Sequence, residues 1–220
     1  VRARGLRAYG CRVILGGRIL EPGVVAHTGS GVLTLGIWPN GIDDVCRRVA
    51  ADLIESGLEA PLTDDVEAAK WGKVLSNVNN AYLALVGISV QESRHFEIHR
   101  HFLADVLNEA IDVIEAAGIR ADTSPQKPPR QQVASLRAPG DWEHIEIPTD
   151  PDERTYPSTW QDLHFERESV EVEWFNGEIV RLAQRHGMAA PLNETLWHRC
   201  EAAAAAKAGP GTETPESLRS

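Results

Sequence analysis

Residues 70–87, KWGKVLSNVNNAYLALVG, decide how this chain is read. The stretch has the makings of a buried helix. Trp71, Val74, Leu75, Val78, Tyr82 and Leu85 cover most of a wheel turned 100° per residue. Yet it also carries Lys73 and the asparagines Asn77, Asn79 and Asn80. Asparagine is a poor helix former because its amide competes for backbone hydrogen bonds. Lys73, Asn77 and Asn80 follow one another at spacings of four and three, which puts them in one narrow sector. A buried amide without a partner costs roughly 1–3 kcal/mol, and an unpaired ammonium costs more. Such a stripe faces solvent, a polar neighbouring helix, or a ligand rich in acceptors. Against a ligand, a lysine there polarises a carbonyl or delivers a proton as the carbonyl becomes an alkoxide.

On the N-terminal side, CRVILGGRIL (11–20) and GVLTLGIW (31–38) are β-branched and apolar. EPGVVAHTGSG between them carries Pro and Gly punctuation, so a hairpin or meander of short strands is expected, with GSG as a turn. Ile42, Val45, Val49 and Leu53 predict a helix over 42–56, stopped by Gly57. Beyond residue 64 the pattern turns helical. One long helix is predicted over 64–88, a second over 96–117 closed by Gly118, and a short one near 130–137 within a Pro-rich loop. Two more follow over 158–186 and 191–207, the latter starting at Pro191, a favoured first-turn residue. The tail GPGTETPESLRS is expected to be disordered. The class is α+β to mostly α, organised as a strand-rich front (1–61), a helical domain (62–207) and a tail (208–220).

The chain has 220 residues and a net charge of -10. Beyond the short VRARGLR start there is no basic cluster of the kind nucleic-acid binding needs. Cys11, Cys46 and Cys200 are odd in number and widely spaced, which argues against disulfides and zinc and for reduced thiols in a cytoplasmic protein. No apolar run approaches the ~20 residues of a membrane span, and no signal peptide is read. The first residue is Val and the only Met is Met188, so a truncated chain is expected.

Two further polar groups stand out. Ser158 with Gln161 three residues on reads as a capping box, and a helix start also suits a bound carboxylate. Glu171 and Glu173 precede Asn176-Gly177, and a solvated face is their ordinary reading. His95 and His99 lie four apart but without the HExxH arrangement, so no metal is expected.

Taken in order, EPGVVAHTGSGVLTLG, KWGKVLSNVNNAYLALVG, YPSTWQDL and VEVEWFNGEIVRLAQRHGMAAPLNETL resemble the ketopantoate reductase (2-dehydropantoate 2-reductase) family over most of residues 11–205. The resemblance implies an N-terminal Rossmann domain for NADPH and a C-terminal helical domain of the 6-phosphogluconate dehydrogenase type. It implies reduction of 2-dehydropantoate to pantoate, and it leaves room for a homodimer. By position, Lys73 would act on the substrate carbonyl oxygen, and Asn77 and Asn80 would hold its polar groups. Ser158 would contact the carboxylate, Glu171 the hydroxyl end, and Glu109 would be a cofactor-side carboxylate. Better-known members carry the second asparagine four residues after the first, where this chain has Ala81. There is one extra residue between Asp162 and Glu171, so a reductase of another 2-keto acid is the neighbouring reading. No Gly-x-Gly-x-x-Gly occurs, and residues 1–61 resemble only the late part of the Rossmann domain. A non-catalytic helical assembly module is the reading from another class.

Overall fold

The computed structural model describes residues 7–140, 142, 144–167 and 169–219, without the side chains of 17–20 and 26–30. It divides into two compact units. One runs up to Lys73 and includes Arg120–Ser124; the other holds Val74–Ile119 and Pro125–Ser220. The first unit thus includes the first turns of the next helix together with the strands.

In the first unit, β1 (Tyr9–Glu21) and β2 (Val24–Ile37) form an antiparallel hairpin. Pro22 and Gly23 make its turn, and Gly23 takes φ 86°, the positive value a type II turn demands. GSG is not a turn. The register slips between Ile14↔Val32 and Gly16↔Thr28, so these residues bulge inside β2, with Gly31 at φ 67°. Helix α1 (Asp44–Glu55) starts where Asp43 accepts from the Val45 and Cys46 amides. Its Ala50 packs with Leu35 and Ala60. Parallel bridges Val32–Glu59 and Leu35–Leu62 extend the sheet beyond β2. Helix α2 (Val66–Asn77) begins with Val66 fully buried. A Cβ on Gly10 would lie 2.8 Å from Val66, and one on Gly36 would lie 2.4 Å from the Thr63 carbonyl. Those two glycines let the helix start sit on the sheet.

The second unit is helical. It contains α3 (Asn80–Val86), α4 (Val90–His95), α5 (Glu97–Ala116), α6 (Pro129–Arg137), α7 (Ser158–His164), α8 (Val172–Arg185) and α9 (Pro191–Ala205). Its core joins Tyr82 and Leu85 of α3 to Phe102, Ile111 and Ile114 of α5, Ile179 of α8 and Leu196 of α9. Helix α5 packs against α6, α8 and α9, and α3 packs against α7 and α9. The strand hairpin followed by helices is the predicted class.

Three boundaries differ from expectation. The helix over 64–88 breaks after Asn77, where the asparagines interrupt it. The helix over 158–186 breaks after His164. There the charged FERE stretch offers no apolar stripe, Glu166 takes φ 49°, and Arg167 turns back to pair with Asp162 at 2.6 Å. The tail is ordered. Gly211 N–H donates to the Ala84 carbonyl, which also accepts from Gly87, and Glu213 N–H donates to the Leu85 carbonyl at the end of α3. Leu218 is 1% exposed, and Arg219 donates to Asp105 at 2.6 Å while lying over the Phe102 ring. A polar composition missed this because two residues at its far end do the anchoring.

Candidate functional site

The break between α2 and α3 is where polar groups collect. The Asn80 amide donates to the Asn77 side-chain oxygen at 2.9 Å, so the two asparagines form one pair. The Asn79 side-chain oxygen is buried with no partner among the described residues. The first bond of α3 runs from Leu83 N–H to the Asn79 carbonyl. The Val78 carbonyl just before it accepts from the Asn176 amide of α8 at 2.9 Å.

Asn176 begins a buried network. The same amide donates to the Asn193 oxygen at 2.9 Å. Asn193 donates in turn to the Val106 carbonyl and, at 2.9 Å, to Glu109. Glu109 also accepts from the Leu192 and Asn193 backbone amides, at 3.1 and 2.8 Å. A carboxylate on the first free amides of α9 suits both their hydrogen-bonding need and the helix dipole. Glu109 therefore caps α9. Asn176 and Asn193 are 1% and 0% exposed. Beside Asn176, a Cβ on Gly177 would come within 3.0 Å of the Trp197 ring, so the Asn-Gly pair serves packing on both counts. The sequence signal for this network was two asparagines on otherwise apolar helix faces.

Other expected residues are placed less tightly. Ser158 is exposed and is the first residue of α7; Pro157 takes the cap position, and no side chain caps the helix. The Gln161 amide reaches back to the Tyr156 carbonyl, so the expected capping box is not formed. Helix α7 packs on α3, which brings the element bearing Ser158 beside the one bearing Asn80. Glu171 is exposed at the start of α8, without a side-chain cap bond. Lys73 is half-buried on α2 and belongs to the first unit. Burial pushes the Cys11 thiol up, while the Lys73 and Lys70 ammoniums pull it down. Among the described residues no group of His, Cys, Asp and Glu is arranged to hold a metal, and no helix is long and apolar enough to cross a membrane.

Tyr82, fully buried, bonds to His99 Nδ1 at 2.7 Å. Burial raises the Tyr82 phenol and lowers His99, so both partners of this bond are held uncharged. Glu92 and Glu216 act in the opposite sense on His99 without reversing the shift. The unfolded chain binds a proton near pH 6.5 that the native ring refuses. This contribution to stability is full above that pH and is lost as the pH falls below it. Urea midpoints at pH 7.5, 6.5 and 5.5 should fall in that order, and His99→Gln should flatten the slope. Equal slopes in the two proteins would count against the buried neutral histidine.

Comparison with known proteins bears on this arrangement. Residues 65–204 match the family described as the ketopantoate reductase PanE/ApbA C-terminal domain. A 2-dehydropantoate 2-reductase of Pyrococcus horikoshii is 26% identical over 88% of this chain and 59% of its own length. One from Halobacterium salinarum is 31% identical over 80% of this chain and 53% of its own. The chain thus spans little more than half the length of these curated relatives. Among solved structures, 2-dehydropantoate 2-reductase from Methylococcus capsulatus superposes with a TM-score of 0.74 at 21% identity, covering 94% of this chain and 61% of that one. D-mandelate dehydrogenase with NADH and anilino(oxo)acetate superposes with a TM-score of 0.71 at 22% identity, covering 91% and 61%. With the C-terminal domain match covering most of its length, the chain belongs to the ketopantoate reductase family.

Proposed function

We propose that this chain is the substrate-binding part of a reductase that converts 2-dehydropantoate to (R)-pantoate at the expense of NADPH. The observation that carries the reading is the Asn77–Asn80 pair at a helix break, one turn beyond Lys73 on α2. The amides would bind the substrate's polar oxygens. The Lys73 ammonium would donate a proton to the carbonyl oxygen as it gains charge. Ser158 would meet the carboxylate, and Glu171 would accept from the hydroxyl at the other end. The expected cytoplasmic location and homodimer remain part of this proposal.

The described residues do not fit a nicotinamide cofactor. Glu109, the expected cofactor-side carboxylate, spends its oxygens on α9, and the sheet has no glycine-rich turn opening a helix. Hydride supply is therefore assigned to no residue of this chain. Since near-attack geometry depends on a held cofactor, the isolated chain should reduce ketopantoate slowly or not at all.

Another 2-keto acid is the second reading, supported by Ala81, which is 1% exposed where better-known members carry an amide. The test is NADPH oxidation on adding ketopantoate, with this chain and with the chain extended upstream in its gene. Turnover by the extended form alone is expected. An extended form that binds NADPH but ignores ketopantoate would redirect the substrate search to a panel of keto acids. Turnover by the 220-residue chain would overturn the dependence on upstream residues.

A further inference from the structure

The first unit holds a buried arginine that nothing above uses. Arg12 of β1 is 5% exposed. It donates to the Asp122 carbonyl at 3.0 Å, the Ser124 carbonyl at 2.7 Å and the Thr34 hydroxyl at 3.2 Å. Two of these acceptors lie in the strap 120–124, which runs along α2. Arg120 grips Asp65 through two nitrogens, at 3.1 and 2.8 Å, and Asp65 itself caps α2 by accepting from the Ala68 amide. One turn on, the Asp122 N–H donates to the Ala68 carbonyl at 2.9 Å. In an α-helix that carbonyl is also the acceptor for the residue four positions later, which is Gly72. At Gly72 the strap touches the helix backbone, since a Cβ there would stand 1.7 Å from the Asp122 carbonyl oxygen. The next residue is Lys73.

We propose that Arg12 is a positioning residue for Lys73: by pinning the Asp122–Ser124 strap onto the Gly72 turn of α2, it fixes the direction and surroundings of the lysine amine. The proposal rests on the reading of Lys73 as the proton donor for its catalytic meaning, but not for its geometry. Three features make Arg12 the key of the clamp. It binds the Asp122 carbonyl that lies against Gly72, while the Asp122 N–H is held on Ala68, so this one peptide is tied both to α2 and to the strand. A guanidinium fork spans two carbonyls at once, which an ammonium does not. The close approach at Gly72 leaves no side chain to fill a gap if the strap lifts.

The test is pulse labelling of the whole chain with acetic anhydride across pH 6–10, with each lysine quantified by peptide mass spectrometry. Lys70, exposed on the same helix over the Trp38 ring, is the internal reference. Arg12→Met and Arg12→Lys should change the Lys73/Lys70 labelling ratio by roughly threefold, the size of effect expected from losing one hydrogen-bonded support. The change should fall on Lys73 and leave Lys70 as it is. In the extended protein the same variants should lower kcat, leave KM nearly unchanged and shift the pH profile. An unaltered Lys73 profile, or loss of folding in both variants with all lysines labelled alike, would overturn the proposal. If the labelling shift appears but Lys73→Ala retains turnover, the clamp stands and the catalytic reading of Lys73 fails.

Discussion

Lys73→Ala in the upstream-extended protein should lower turnover by about 10²–10⁴-fold, the range a positioned acid contributes. The loss should fall on kcat. The amide pair at Asn77 and Asn80 and the hydroxyl of Ser158 stay in place, so KM should change little. Truncation to alanine removes the ammonium without touching Gly72, whose contact with the strap sets the path of the helix. Steady-state kinetics on purified variant and parent decide it. A variant within tenfold of the parent would remove Lys73 from the chemistry and favour the helical assembly module. A deficit partly restored by small amines would tie the effect to the missing nitrogen.

Asn176→Ala should destabilise the helical unit by about 3 kcal/mol. One amide nitrogen serves the Val78 carbonyl and the Asn193 oxygen, and both bonds are buried. Removing it strands two acceptors, and each buried unpaired group costs about 1–3 kcal/mol. Urea denaturation gives the number, with Asn80→Ala as the contrast. That pair is half-buried and open to water, so its loss should cost under about 1 kcal/mol. Similar values for the two variants would mean that water replaces the Asn176 amide.

The sequence made some of this legible and hid the rest for definite reasons. Helices α1, α5 and α9 were readable from apolar spacing and a punctuating residue, Gly57, Gly118 or Pro191. The break after Asn77 was not, because apolar periodicity runs on through Val78, whose carbonyl is taken up by Asn176 far along the chain. The Lys73–Asn77–Asn80 stripe was legible as a local spacing, and the amide pair is indeed bonded. Glu109 shows the limit. Its position in the family pattern suggested a cofactor contact, but its partners are backbone amides 83 and 84 residues away, invisible to any local window. The capping box existed at a site not singled out, Ser89 with Glu92, where both reciprocal bonds form. At Ser158 the same spacing failed because Pro157 starts the helix one residue earlier.

The ordered tail has a bearing on proteolysis. Gly87 and Gly211 face each other so closely that a Cβ on Gly87 would lie 2.8 Å from the Gly211 Cα. The tail is thus laid directly on the last turn of α3, the helix that opens with Asn80. Cleavage between Glu213 and Leu218 would release the anchor, then uncover the Leu85 carbonyl. A cut far from the Asn77–Asn80 pair in sequence would then loosen the helix that carries one of its two amides.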